Sequence, residues 1–125
     1  PVRPGLLLLP GLVLAMGGCV DPAAGSNAGA LEVVLHSSRP DDGAVLFSVD
    51  GGPIDSIGSA GYRLYSARFR GQLRVIVSGD LRPGPIARLW IPDGRLRQAY
   101  AAMVRQVAGR DYSLREPGGY QLELR

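Results

Sequence analysis

The chain has 125 residues, a length that fits one small domain. It carries 14 basic and 11 acidic residues, and every basic residue is an arginine. A single Cys and a single His exclude a disulfide framework within the chain and leave too few ligands for a His/Cys metal centre. We therefore expect no cofactor and no metal. The 18 Gly and 10 Pro are many, but 46% of the residues are apolar, so the composition does not indicate disorder.

The N-terminal segment has the order of regions found in a secretory signal peptide. Arg3 precedes an apolar run over residues 6–16, and small residues follow that run. The run is too short to cross the roughly 30 Å of a bilayer core, and Pro10 and Gly11 weaken it as a helix. One interpretation of this segment is an ordinary signal peptide that is cut after Ala30.

The position of the only cysteine refines this prediction. Cys19 follows Gly17 and Gly18 directly after the apolar run. The arrangement resembles the lipobox of bacterial lipoproteins, in which small residues precede a cysteine that receives diacylglycerol and becomes the mature N-terminus. The resemblance implies that residues 1–18 are a lipoprotein signal peptide, that Gly17 and Gly18 flank the cleavage site, and that Cys19 is lipidated.

A lipid on Cys19 would hold the protein in the cell envelope without a transmembrane helix, because two or more acyl chains anchor a protein stably. Val20 stands where an Asp would resemble an inner-membrane retention signal, so the outer membrane is favoured if the source is Gram-negative. Residues 19–30 are small and have no apolar period, which predicts a flexible tether before a folded domain over residues 31–125.

From Leu31 onward, short β-rich runs alternate with turn signals every ~8–12 residues, which predicts an all-β sandwich. Turn residues such as Asp41, Asp42 and Gly43 separate the runs. The predicted strands lie near residues 31–37, 44–49, 62–69, 73–78, 86–91 and 120–124. The residues that we expect to be buried are Leu31, Val33, Leu35, Val45, Phe47, Val75, Val77, Leu89, Ile91, Tyr120, Leu122 and Leu124.

Residues 95–108 fit two patterns. Leu96, Tyr100, Met103 and Val107 fall at helical spacing, and the alanines between them favour a helix. A strand over the same residues alternates less cleanly. Propensity alone therefore predicts one helix at about 95–108 and an α+β fold.

A resemblance favours the strand. Ordered β-like runs occupy residues 43–49, 73–79, 83–92, 100–108 and 118–124. Their order is similar to that of cohesin-type and related immunoglobulin-like domains over residues 43–125. In such domains a strand follows a Pro/Gly break and another strand comes before the closing one, which implies a strand over 100–107 and a small immunoglobulin-like or cohesin-like sandwich. Cohesins bind partner modules, but no contact motif of theirs is matched.

Few residues offer catalytic chemistry. His36 lies on the polar face of the first predicted strand, and neither Ser37 nor Ser38 forms a nucleophile elbow. Most Asp residues stand beside Gly, Pro or Ser, where their side chains bond the backbone of turns. The sequence supplies no paired-carboxylate motif and no calcium loop. We therefore predict no catalytic residues, with an envelope hydrolase as the alternative.

Arginines and aromatic residues cluster after residue 61, and interfaces favour both types. The predicted binding surface comprises Tyr62, Arg63, Tyr65, Arg68 and Arg70. A net charge of +3 is mild, so we expect a protein or glycan of the envelope as partner, and no nucleic acid. The sequence thus predicts a lipid-anchored envelope protein whose sandwich is a binding or structural module. An accessory subunit of an export or assembly complex is a further alternative.

Overall fold

The computed structural model describes residues 27–125. Gly17, Gly18, Cys19 and most of the predicted tether lie outside the described residues. Within them, two antiparallel sheets pack face to face and form a small all-β sandwich, as the sequence predicts.

Nine strands make up the two sheets of the described part. Their bounds are Gly29–His36 (β1), Asp42–Asp50 (β2), Ser56–Ser59 (β3), Arg63–Phe69 (β4), Gln72–Leu81 (β5), Gly84–Ile91 (β6), Ala101–Gly109 (β7), Leu114–Arg115 (β8) and Gln121–Leu124 (β9). The four-stranded sheet has the order β3-β6-β1-β9, and the five-stranded sheet has the order β4-β5-β2-β7-β8. Short 3-10 helices occupy Gly94–Ala99 and Pro117–Gly119.

The core lies between the sheets and is built from alternate residues of each strand. Ten of the twelve predicted core residues are at most 7% exposed. Leu122 and Leu124 are only partly buried, because β9 is an edge strand with a neighbour on one side. The core also contains residues outside that prediction, namely Val49, Ile54, Leu73, Leu81, Ile86, Ala87, Tyr100 and Val107.

Residues 95–108, which fit two patterns in the sequence, form the end of a 3-10 helix and then a strand. Asp93 caps the 3-10 helix, since its Oδ1 accepts a hydrogen bond from the Arg95 backbone N–H at 3.0 Å. From Ala101 the chain pairs with β2, so the strand prediction for 100–107 is confirmed and the helix at 95–108 is wrong. Pairing with the free side of β2 overrides local helix propensity.

A β-bulge explains why this strand alternates poorly in the sequence. Gln106 pairs with Leu46, and Val104 pairs with Phe47, so Arg105 is the extra residue of β7. The bulge shifts the alternation by one position, which an unbroken period of two does not anticipate.

Two strands and one boundary differ from the prediction. β3 runs through the Gly-rich stretch, where a Cβ on Gly58 would lie 3.2 Å from the Trp90 ring, so glycine allows the ring to cover the strand. β8 has only two residues, too few for a sequence pattern. β1 begins at Gly29, and the last two residues of the predicted tether therefore belong to the sandwich.

Candidate functional site

On the outer face of the four-stranded sheet, the carboxylates of Glu32 and Glu123 are both bonded by other side chains, whereas Arg88 forms no ion pair within residues 27–125. His36 Nε2 lies 2.8 Å from Glu123 Oε1, and this hydrogen bond lowers the pKa of the Glu123 carboxyl. Arg125 Nε lies 3.5 Å from Glu32 Oε1 on the same sheet. Within residues 27–125 the His36 ring bonds only that carboxylate, so no serine hydroxyl is activated by it.

The outer face of the five-stranded sheet is different, because apolar side chains continue across its strands. The strand register aligns outward residues in rows, since alternate residues share a face. We define the apolar strip as the apolar outward residues of two neighbouring rows, namely Leu114, Ala108, Ala44, Leu46, Ile76 and Tyr65. Met103 stands in the next row, opposite Ser48.

The strip is open to solvent. Leu114 is 73% exposed, Tyr65 61% and Ile76 42%. Between Ile76 and Leu114 the face has a shallow hollow of about 160 Å³, with the small residues Ala44 and Ala108 among its lining. Contiguous exposed apolar residues of this kind mark interaction sites on soluble domains.

Four arginines flank the strip, namely Arg63, Arg70, Arg74 and Arg105. Among residues 27–125, none of the four forms an ion pair. Arg74 Nε donates to Gln72 Oε1, and Arg105 Nε donates to Ser48 Oγ, each at 3.1 Å. Two of the four arginines therefore bond neutral partners, and within residues 27–125 none of the four contacts a carboxylate.

The turn between β4 and β5 extends this surface. Arg70 and Gly71 both have positive φ, 52° and 77°, as a two-residue type I′ turn requires. The guanidinium carbons of Arg70 and Arg74 lie 5.2 and 4.7 Å from the centroid of the Phe69 ring. These cation–π contacts place an aromatic ring and two positive charges at one corner of the sheet.

The structure divides the predicted binding residues between two directions. Tyr65 belongs to the strip, Arg63 points outward beside it, and Arg70 lies at the adjacent corner. Arg68 points the opposite way and donates to the Ile54 carbonyl, whereas Tyr62 packs against the core.

Three exposed residues that complete the face were not predicted from the sequence, namely Ile76, Met103 and Leu114. Ile76 could have been found, because it is an apolar residue at an outward position between the buried Val75 and Val77. Leu114 carries no local signal, since it reaches the strip only through the pairing of β8 with β7.

A buried cluster at the start of β2, close to Ala44 and Leu114 but beneath the sheet, was also not predicted from the sequence. Asp42 was predicted in a turn, but it opens β2 and is fully buried. Its Oδ1 accepts hydrogen bonds from Arg115 Nη1 at 2.6 Å and from the Tyr120 hydroxyl at 2.7 Å. Arg115 also contacts both carboxylate oxygens of Asp41, at 3.0 and 3.2 Å. The turn interpretation of Asp42 is therefore wrong.

This cluster has the features of a structural link. Among residues 27–125 Asp42 Oδ2 has no hydrogen-bond partner and is enclosed, and the Arg115 amino groups are engaged by the two aspartates. Burial, and then the hydrogen bond to Asp42, raise the pKa of the Tyr120 hydroxyl, which keeps it protonated as a donor. The cluster joins the start of β2 to β8 and to the residue before β9.

In the described part of the chain, no group of three or more His, Cys, Asp or Glu side chains is placed to hold a metal ion. No helix among those same residues has the length and apolar character needed to cross a bilayer.

Comparison of the chain with models of protein families, with curated proteins and with solved structures found no match. The likeness of residues 43–125 to cohesin-type domains, and that of residues 1–20 to lipoprotein leaders, therefore stay predictions from the sequence.

Proposed function

We propose that this protein is a binding module of the cell envelope, anchored by lipid on Cys19, that binds a protein or glycan through the outer face of its five-stranded sheet. The contrast between the two sheet faces carries the proposal. On one face the carboxylates of Glu123 and Glu32 are bonded by His36 and Arg125, whereas the other face exposes an apolar strip beside arginines that form no ion pair within residues 27–125. Desolvating such a strip on binding is favourable, and the arginines select the partner.

The predicted anchor is compatible with this role. About ten residues separate Cys19 from the start of β1 at Gly29, and an extended segment of that length spans at most ~33–36 Å. The sandwich would therefore work close to the membrane surface, with freedom to turn the face toward a partner. We propose no enzymatic activity, since His36 bonds a carboxylate and Asp42 is enclosed.

A second candidate is an accessory subunit of an export or assembly complex. In the described residues β4 pairs with β5 alone, so its other side is a free strand edge, and six of its seven residues are exposed. A free edge can accept a strand from another protein by main-chain hydrogen bonding. This candidate differs from the first in using the edge of β4 rather than the face.

The test is chemical crosslinking of the full, processed protein in envelope membranes. We expect crosslinked products to be lost when Tyr65 and Ile76 are both replaced by Thr, because this removes the strip while keeping β-propensity. Trp90→Thr is the matched control, since Trp90 and Ile76 are both 42% exposed but lie on opposite sheets. Equal crosslinking by the unchanged protein, the double Thr variant and Trp90→Thr would contradict the proposal that this face binds the partner.

A further inference from the structure

We infer that the hollow between Ile76 and Leu114 receives one apolar side chain from an acidic, extended peptide segment of a partner protein. The inference rests on the proposed function, and it names the class of partner that the face would bind.

The size of the hollow limits its occupant. At about 160 Å³ it is well below the ~300–1,000 Å³ of sites that enclose a cofactor or other small molecule. Ala44 and Ala108 are small, while Ile76 and Leu114 project as its walls. A single apolar side chain inserted into such a hollow, with near-neutral contacts around it, is the usual form of an interface anchor.

The charge around the hollow indicates what flanks this anchor. Arg63 aligns with Ser78 at one end of the row that contains Ala44, and Arg105 precedes Gln106, which lines the hollow. Neither arginine has a carboxylate partner in the described part of the chain. Carboxylates on both sides of the apolar residue would therefore meet positive charge, with charge-assisted hydrogen bonds to the guanidinium groups.

An extended segment matches the flat sheet better than other forms do. In an extended chain alternate side chains point to one side, so an apolar residue and its acidic neighbours at alternate positions can face the strip together. The corner formed by Phe69, Arg70 and Arg74 continues the same combination of apolar and basic groups. A longer acidic segment would thus gain further contacts along β4.

The same observations disfavour two other occupants. A second copy of this chain, related by a two-fold axis, would bring the same arginines against each other. A lipid surface would bury exposed polar groups that stand among the apolar residues, including Gln106 and the Asp50 carboxylate, which bonds Gln72. An acidic peptide leaves these groups at a hydrated rim.

The test uses the full chain with Cys19→Ser, in mild detergent, and a labelled peptide of alternating Glu and Thr with a central Leu. We expect binding that weakens about tenfold when the central Leu is replaced by Ser, the size of effect that an interface anchor has. Replacing Glu by Gln, or raising the ionic strength, should also weaken binding. Ala108→Leu fills the hollow from the protein side and should have the same effect as removing the peptide's Leu, while Trp90→Thr should change nothing.

Each other outcome overturns the inference. Equal affinity for the Leu and Ser peptides would show that the hollow is not the anchor site. Flotation with phosphatidylglycerol vesicles that depends on Ile76, without peptide binding, would identify a lipid surface, and sedimentation as a dimer that Ile76→Thr dissociates would identify a second copy. Loss of envelope crosslinking in the face variants without peptide binding would keep the proposed function and reject this partner class.

Discussion

Arg115 on β8 donates a hydrogen bond from Nη1 to the buried Oδ1 of Asp42 at 2.6 Å, across 73 residues of sequence. This contact joins the shortest strand of the five-stranded sheet to the first residue of a central one. The same guanidinium holds Asp41, and the Tyr120 hydroxyl shares the Asp42 oxygen. Three distant segments therefore meet at one buried carboxylate, and the stability of this end of the sandwich depends on its partners.

Removing either donor should destabilise the fold. Tyr120→Phe deletes a hydrogen bond to a charged group and should lower the free energy of unfolding by about 1.5–3 kcal/mol. Arg115→Ala should shift the urea midpoint further, because it leaves Asp42 buried without a counter-charge. Tyr112→Phe is the control, since Tyr112 is 92% exposed and should change stability by less than about 0.5 kcal/mol. Indistinguishable midpoints for Tyr120→Phe and Tyr112→Phe would contradict this account of the cluster.

The core gives a second prediction. Phe47 is fully buried between the sheets, so Phe47→Ala should cost about 3–5 kcal/mol through lost burial and the cavity left behind. A small domain has only about 5–15 kcal/mol in total, and the melting temperature should fall sharply. Phe69→Ala on the outer face is the control, since its ring is 48% exposed and should matter much less. Similar melts for the two variants would mean that the faces of β2 and β4 are assigned wrongly.

Stability should fall at both ends of the pH scale. Hydrogen bonds from Arg115, Arg95 and Ser113 hold the pKa values of Asp41, Asp93 and Asp111 below their ordinary 3.8. Because the folded pKa values are the lower ones, the stability that these groups contribute is present above about pH 3.8 and is lost as the pH falls through the folded values. Thermal melts followed by circular dichroism should therefore decline below that pH.

At alkaline pH the dependence is reversed, and stability should fall as the pH rises. Burial raises the pKa of Tyr120 above its ordinary 10.0, so its contribution is complete below pH 10.0 and is lost as the pH rises through the folded value. Tyr120→Phe should flatten this decline relative to the unchanged protein, whereas Tyr112→Phe should leave it as it is. If the two variants lose stability equally as the pH rises, groups other than Tyr120 cause the alkaline loss of stability.

Lipidation of Cys19 is a fourth prediction. Cys19→Ala should abolish acyl attachment and leave uncleaved precursor or released protein, because the Cys19 sulfur is the atom that would carry the lipid. Metabolic labelling with a fatty-acid analogue, followed by separation of membrane and soluble fractions, measures both effects. Label retained on the Ala variant would refute the lipobox interpretation of Gly17, Gly18 and Cys19.

Much of the sandwich could be predicted from local patterns. Inward positions such as Val45, Phe47, Val75 and Val77 follow from the period of two in a half-buried strand, and all four are fully buried. The same rule fails where the backbone is irregular. The bulge at Arg105 interrupts the alternation of β7, so local propensity favoured a helix there.

The sequence alone determined the fold class and most of the core, because alternation and turn chemistry act over a few neighbouring residues. Only the tertiary structure decided which outward residues share a surface. Ile76 and Leu114 line one hollow because β5 and β7 pair with opposite sides of β2, and β8 pairs with β7. Asp42 is buried because Arg115 and Tyr120, which lie more than 70 residues later in the sequence, pack against it. Such contacts depend on strand order, and strand order is set by the packing of the whole core and not by any local segment.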